Sequence, residues 1–338
     1  MKAIQITDQG KTRVVETPKP ELIPGHVLLK TGYVGFCGSD LNTFRGLNPL
    51  VKLPVVPGHE IGARIEEMAH DVPPFFKPGL NATVNPYSSC GHCPACENGR
   101  PNACEFNQTL GVQRNGAMAE YILVPWEKVM ADPAISVRDF ALVEPMSVGF
   151  HAVNRAQVTD IDTVMVIGCG MIGMGAIVRA ALRGAKVIAV DVDNKKLRLA
   201  KRLGAQYTIH SVDENLHERT QEITRQRGAD VIIEAVGRPE TYIASISEVA
   251  YTGRVVYIGY AKERIPFDTQ YFVKKEVNIK GSRNATPADF KAVMEYMKKG
   301  GLPVEELITA VHPPEEAQTA LEKWSAHPSE VFRILIRF

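Results

Sequence analysis

At 338 residues, with 45 % hydrophobic and 23 % charged side chains and a formal net charge of +1, the chain has material for two domains with substantial cores. The even charge balance gives no electrostatic case for nucleic acid or an anionic membrane as partner. MKAIQITDQGKTRVVE lacks the apolar stretch of a secretory signal, and every apolar run breaks before about 20 residues, so a soluble, cytoplasmic protein is expected.

Residues 1 to about 150 are rich in Gly, Pro and short β-type runs, such as HVLLKTGYVG and AEYILVP, with no long helical period. From about 160 the texture changes. TVMVIG (163–168) reads as a buried strand, Met171 to Arg183 as a helix and KVIAVD (186–191) as a second strand. A helix over Asn194 to Leu203, the strand QYTIH, a polar helix over 213–227 and the strand DVIIEAVG (230–237) follow. Glu240 to Ala250 is the next helix and GRVVYIG (253–259) the next strand. This alternation predicts an α/β fold, a doubly wound parallel sheet with helices on both faces. After about 283 come an amphipathic helix, ADFKAVMEYMKKG, the capped segment PPEEAQTALEKW and a final strand, VFRILIRF. That last strand is expected to return and complete the first domain.

Cys90, Cys93, Cys96 and Cys104 fall within fifteen residues, spaced C-x2-C-x2-C-x7-C in a lobe over about 86–108 whose turns come from Gly91, Pro94, Gly99 and Pro101. Four thiolates on one short loop suit a closed, structural Zn²⁺ site. Disulfides fit poorly, with only six cysteines and no sign of secretion. Ligation by four cysteines does not by itself exclude an iron–sulfur cluster. His92, inside the lobe, is read as a polar loop residue.

Gly168-Cys169-Gly170-Met171-Ile172-Gly173 fits G-x-G-x-x-G between a strand and a helix. Gly168 makes the tight turn, Gly170 admits a pyrophosphate against the backbone, and Gly173 permits close helix–strand packing. The helix start, with Met171 and Ile172, offers free N–H groups and a positive dipole end. Asp191 closes the second strand eighteen residues beyond Gly173, where a carboxylate accepts from ribose hydroxyls and repels a 2′-phosphate, favouring NAD over NADP. Val236 and Ile258, at the ends of the two later strands, complete the cofactor contacts expected of this domain.

Cys37 in GFCGSD, His59-Glu60 in PGHE and Glu144 in ALVEPMSVGFHAV supply a Cys, a His and one or two carboxylates, a set that leaves a zinc coordination position open. Taken singly, each has an ordinary structural reading: a small buried thiol, a core histidine, a helix start.

Taken together, Cys37-Gly38-Ser39-Asp40, Gly58-His59-Glu60, the four-cysteine lobe, Glu144-Pro145 and Gly168 to Gly173 resemble the zinc-containing medium-chain dehydrogenase/reductase superfamily, over essentially the whole chain. Glutamate at 144 is similar to the polyol and sugar dehydrogenase branch, and KKEVNIKGSRNATPADF resembles members acting on L-galactonate, L-gulonate or L-idonate. The resemblance implies a Rossmann domain (151–284) inserted in a mainly-β, GroES-like catalytic domain (1–150 with 285–338). It also implies two zinc ions per subunit, one catalytic and one structural, with NAD as cofactor, in a homodimer or homotetramer. The catalytic zinc would be held by Cys37, His59 and a carboxylate of Glu60 or Glu144, and would lower the pKa of a secondary hydroxyl whose carbon gives hydride to NAD. Ser39 would take the alcohol proton, and Asp40 would accept from the His59 ring. Lys196 would lie beside the adenine ribose. Arg283, with Asn284 beside it, is expected to pair with a substrate carboxylate. His151 is expected to serve packing.

The chain departs from the family pattern at Asn42, where many relatives carry a histidine that ends the proton relay, and at Ala63 and Leu80, which read as backbone adjustments. The expected function is oxidation of a secondary hydroxyl on a polyol or aldonate. A dehydrogenase of simple aliphatic or aromatic alcohols, or an idle NAD-binding protein of the same fold, is the alternative.

Overall fold

The computed structural model describes all 338 residues. In chain order the strands are β1 (Lys2–Asp8), β2 (Lys11–Glu16), β3 (His26–Phe36), β4 (Glu60–Met68), β5 (Asn81–Val84), β6 (Tyr121–Pro125) and β7 (Val129–Ala131). There follow β8 (Thr163–Ile167), β9 (Lys186–Asp191), β10 (Tyr207–His210), β11 (Ala229–Glu234), β12 (Val249–Tyr257) and β13 (Asn278–Gly281). The last two are β14 (Ala310–His312) and β15 (Ile334–Arg337). Two compact units result, Met1–Glu144 with Met294–Phe338, and Pro145–Val293.

The first unit is built on a seven-stranded sheet ordered β14-β15-β3-β4-β5-β7, with β6 also on β3, and a separate β1-β2 hairpin. Strand β3 is its spine. Its eleven residues pair antiparallel with β4 along almost their whole length, and on the other edge with β6 toward the N-terminal end and β15 toward the C-terminal end. β15, the final strand, thus returns to the first unit, Ile334 opposite Phe36. Val27, Leu29, Val34 and Phe36 from β3 lie with Ile61 and Ile65 from β4 in one core, all at most 1 % exposed. Burial of such side chains contributes roughly 1.5–3 kcal/mol each.

The second unit carries a six-stranded parallel sheet in the order β10-β9-β8-β11-β12-β13, three strands on each side of the β8/β11 junction. With β8 as first strand this is 3-2-1-4-5-6, the doubly wound order in which ligands bind beyond the carboxyl ends where the direction of winding reverses. Strands buried on both faces read as unbroken apolar runs, which is why TVMVI and KVIAVD stand out in the sequence. The division falls at 144/145 and 293/294 rather than at 150/151 and 284/285. The helix Val143–Ala156 explains the first difference: a Cβ on Gly149 would lie 2.1 Å from Ile172 O and 2.5 Å from Ala176 N, so the helix is packed directly on Met171–Leu182. Asp289 explains the second, accepting from His151 Nδ1 at 2.9 Å and from Thr286 N at 2.9 Å, within the same unit. His151 thus has a structural partner in Asp289. No helix is long and apolar enough to cross a membrane.

Candidate metal centres and dinucleotide site

Cys37 is the residue at which β3 ends and the short helix Gly38–Phe44 begins. Gly35 is paired with Glu60 across the β3/β4 ladder, so the end of one strand and the start of its neighbour bring Cys37, His59 and Glu60 together. Their ligand atoms lie within 4.8 Å of one another. Gly35 makes room for this: a Cβ there would lie 2.2 Å from Glu60 Oε2.

His59 and Glu60 are buried, at 5 % and 0 % exposure. His59 Nδ1, both Glu60 carboxylate oxygens and Ser39 Oγ are buried without a hydrogen-bond partner. Unsatisfied groups of this kind cost about 1–3 kcal/mol each and need an explanation. A divalent metal supplies one for the imidazole and the carboxylate. Arg333 Nη1 approaches Glu60 Oε1 at 2.9 Å as an ion pair, without hydrogen-bond alignment, and donates to Phe36 O at 2.7 Å. Burial drives the Glu60 carboxyl well above its ordinary range, against the pull of Arg333. Burial also raises the Cys37 thiol, but hydrogen bonding and charge from His59 outweigh it, leaving the thiol lowered, toward the thiolate a metal requires.

One expectation is corrected here. Asp40 does not accept from the His59 ring; its Oδ2 accepts from the Cys37 backbone N–H at 2.8 Å, and so caps the helix that Cys37 opens. Glu144 stands beside the converging trio of Cys37, His59 and Glu60, and its Oε1 accepts from Tyr87 Oη. Burial and the Glu144 charge hold the Tyr87 phenol well above its ordinary pKa, so it remains a donor. Neither Tyr87 nor Arg333 was singled out from the sequence. Tyr87 carries no local signal, whereas Arg333, at 5 % exposure, is the inward one of the two arginines in the run VFRILIRF, Arg337 being exposed.

The four lobe cysteines form the second convergent set, all as free thiols within 4.8 Å. Cys93 Sγ and Cys104 Sγ are 3.8 Å apart. A tetrahedron with Zn–S near 2.3 Å separates sulfurs by about 3.8 Å, so the spacing fits zinc. Backbone N–H groups of Cys90 and Cys93 donate to Cys104 Sγ and Cys90 Sγ, each at 3.3 Å. N–H groups of Glu105 and Cys96 draw Cys93 down to about 6, while burial pushes Cys96 up to about 11. His92 stands outside the set, its Nδ1 2.9 Å from Cys90 O.

In the second unit Gly168 follows β8 with φ +93, a left-handed turn suited to glycine. A Cβ on Gly173 would lie 1.8 Å from Gly168 O, whereas one on Gly170 would meet nothing within 4 Å. The first glycine therefore turns the chain, the third lets the helix Met171–Leu182 pack, and the second borders open space at the helix start. Such space beside free N–H groups fits a pyrophosphate. Asp191 is held in place by its neighbours: Oδ2 accepts from Cys169 N at 2.6 Å, and Oδ1 from Val192 N at 2.8 Å and Asp193 N at 3.0 Å. Lys196 lies half-buried in the first turn of the following helix. Val236 is 43 % exposed just beyond β11, its N–H given to Glu234 Oε1 at 2.8 Å, and Ile258 N donates to Glu234 O at 2.9 Å. Arg283 and Asn284 follow β13, Asn284 with φ +55.

Residues 23–134 match the alcohol dehydrogenase GroES-like domain, and residues 172–299 match the zinc-binding dehydrogenase domain. The chain belongs to the zinc-dependent alcohol dehydrogenase family. It is therefore an oxidoreductase, with zinc and a nicotinamide dinucleotide as the cofactors to which its two kinds of site are fitted. Among dehydrogenases of this family, the L-galactonate-5-dehydrogenase of Escherichia coli (strain K12) is 32 % identical over 296 residues, 86 % of each chain. The galactitol-1-phosphate dehydrogenase from Escherichia coli superposes with TM-score 0.92 at 28 % identity, covering 100 % of both chains. The alcohol dehydrogenase rspB from E. coli CFT073, solved with NADH, gives TM-score 0.91 at 28 % identity, over 100 % of this chain and 99 % of that one.

Proposed function

We propose that this dehydrogenase oxidises a secondary hydroxyl of a polyol or sugar acid, with NAD as hydride acceptor. The observation that carries the reading is the buried convergence of Cys37, His59 and Glu60, with unpaired donor atoms on His59 and Glu60 and an unpaired hydroxyl on Ser39 close by in the chain. When bound, zinc supplies Lewis-acid polarisation of the substrate hydroxyl, and NAD takes the hydride.

The residues divide the remaining work. Cys37, His59 and Glu60 hold the metal, Cys37 as thiolate and His59 through a ring nitrogen. Arg333 steadies the charge of Glu60. Ser39 Oγ, having no other partner, accepts the proton leaving the alcohol. With asparagine at 42, that proton passes to ribose or solvent rather than to a side-chain base. Glu144, held by Tyr87, is the reserve carboxylate beside the metal. Asp191 receives the adenine ribose and repels a 2′-phosphate, with Lys196 beside it. Gly168, Gly170, Met171, Ile172 and Gly173 receive the pyrophosphate, and Val236 and Ile258 border the cofactor beyond β11 and β12. The four lobe cysteines hold a structural zinc and take no part in the chemistry. The likeness to an L-galactonate dehydrogenase supports a sugar acid as substrate, with Arg283 and Asn284 as candidate contacts for its carboxylate.

The test is NADH formation from a panel that sets L-iditol, D-sorbitol and galactitol against L-idonate, L-gulonate and L-galactonate, each with and without a chelator. Chelator-sensitive turnover within the panel is the expected result. Turnover of short aliphatic or benzylic alcohols alone would refute the polyol reading, and NAD binding without turnover of any alcohol would refute the reaction.

A further inference from the structure

The first unit contains a cavity of about 420 Å³ whose lining includes Lys52, Pro54, Val55, Gln113, Arg114 and Asn115. Two of its side chains are cationic and none is acidic. Neither Lys52 nor Arg114 makes an ion pair or a side-chain hydrogen bond. Arg114 remains open to solvent, yet enough protein surrounds the guanidinium that burial lowers its pKa, and no anion opposes the shift. A third cation adds to the field: Lys128, whose pKa is lowered by burial and by the charge of Arg114, donates to Tyr87 O at 2.8 Å. Ordinary surface cations are solvated singly or pair with acids. Here Lys52 and Arg114 line one concavity with no acidic side chain in its wall, and the opposing charge nearest Lys128 is Glu127, outside that wall.

The cavity wall is pinned by hydrogen bonds and runs on along the chain to the metal centre. Gly111 N donates to Arg114 O at 2.8 Å and Thr109 N to Gln113 Oε1 at 2.8 Å, closing the turn that presents Arg114. Asn115 Oδ1 accepts from Val56 N at 3.0 Å, and Gly116 N donates to Val56 O at 2.7 Å. The wall formed by Pro54 and Val55 therefore continues, pinned to residues 115–118, into His59 and Glu60. Three residues of chain separate Val55 from His59, four Cα steps that span at most roughly 14 Å. On the other side Tyr87, whose carbonyl holds Lys128, gives its hydroxyl to Glu144.

We propose that this cavity is an oxyanion subsite, receiving the terminal phosphate or carboxylate of an acyclic polyol substrate between Lys52 and Arg114. Guanidinium and ammonium groups bind both oxyanions, the guanidinium with two parallel N–H donors. The proposal rests on the polyol reading of the metal centre and places the substrate's charged end at this cavity in preference to Arg283.

The experiment compares wild-type holoenzyme with Lys52→Gln and Arg114→Gln in two readouts. The first is the ratio of kcat/KM for galactitol 1-phosphate and for L-galactonate over that for galactitol. The second is calorimetric titration with inorganic phosphate, which needs no turnover. Each substitution is expected to lower the ratio about tenfold or more for one of the anionic substrates, and to weaken phosphate binding by a similar factor. The substrate whose ratio falls identifies the natural anion. Arg114→Lys, which keeps the charge, should recover part of the loss and covers the case in which Arg114→Gln fails to fold. Ratios and phosphate affinity unchanged within twofold would overturn the proposal. So would a ratio that responds to Arg283→Gln and to neither cavity substitution. If no polyol is oxidised at all, the polyol reading fails, while the phosphate titration still decides whether the cavity binds an oxyanion.

Discussion

Gly170 and Gly173 lie three residues apart in one turn, and alanine at each should fail for a different reason. At Gly173 the added methyl would stand 1.8 Å from Gly168 O and 2.9 Å from Gly168 C. Both are backbone atoms of a turn already at φ +93, so they cannot move aside cheaply. Overpacking of this kind costs about 1–3 kcal/mol, and at about 3 °C per kcal/mol Gly173→Ala should lower Tm by roughly 3–9 °C. At Gly170 the backbone is extended, with φ −72, and the methyl meets no atom within 4 Å. Gly170→Ala should therefore leave the apo protein within about 0.5 kcal/mol of wild type. It fills the space a pyrophosphate would occupy, so NADH affinity should fall about tenfold or more, which is at least about 1.4 kcal/mol. Thermal unfolding without cofactor and calorimetric titration with NADH separate the two effects. A Gly170→Ala enzyme that binds NADH like wild type would refute the cradle, and a Gly173→Ala enzyme that melts with wild type would refute the packing argument.

Arg333→Leu removes the cation that opposes burial at Glu60 and the donor to Phe36 O, and loss of such buried polar partners costs about 1–3 kcal/mol. Urea unfolding should show it, and a loss below about 1 kcal/mol would mean that the pair carries no stability. Cys104→Ser removes one of four converging sulfurs and should reduce bound zinc by one ion per chain in elemental analysis while Cys37 and His59 keep theirs; full zinc content would argue against the four-thiolate site. Asp191→Asn keeps a hydrogen-bonding side chain but removes the charge, so the kcat/KM ratio of NADP to NAD should rise about tenfold, and an unchanged ratio would take Asp191 out of cofactor discrimination.

The second unit was legible because each of its parts obeys a local rule. Strands buried on both faces are continuous apolar runs, and the glycines of the first turn answer to sterics within six residues. The centre at Cys37 was legible only as a set of residue types, since its geometry depends on the ladder that places Gly35 opposite Glu60. Asp40 shows where spacing misleads. A carboxylate three residues after Cys37 serves equally as partner to a metal-bound histidine and as helix cap, and the local bond to the Cys37 backbone prevails. Tyr87 could not be anticipated, because its bond to Glu144 joins positions 57 residues apart with no motif at either end. The boundary near 145 was displaced because the helix Val143–Ala156 is apolar on several faces, and which unit it joins is decided by contact with residues 172–176.

The pairing of β15 with β3 has a consequence for how the protein is made. Cys37, His59 and Glu60 leave the ribosome early, but the cation that balances Glu60 belongs to a strand translated after the entire six-stranded unit. A nascent chain therefore holds an incomplete centre while its central portion folds, with a buried-type carboxylate still in search of its counter-charge. Metal captured at that stage would sit in an open edge rather than a closed sheet. A chain truncated before Arg333 therefore lacks both the counter-charge of Glu60 and the strand that closes this edge of β3.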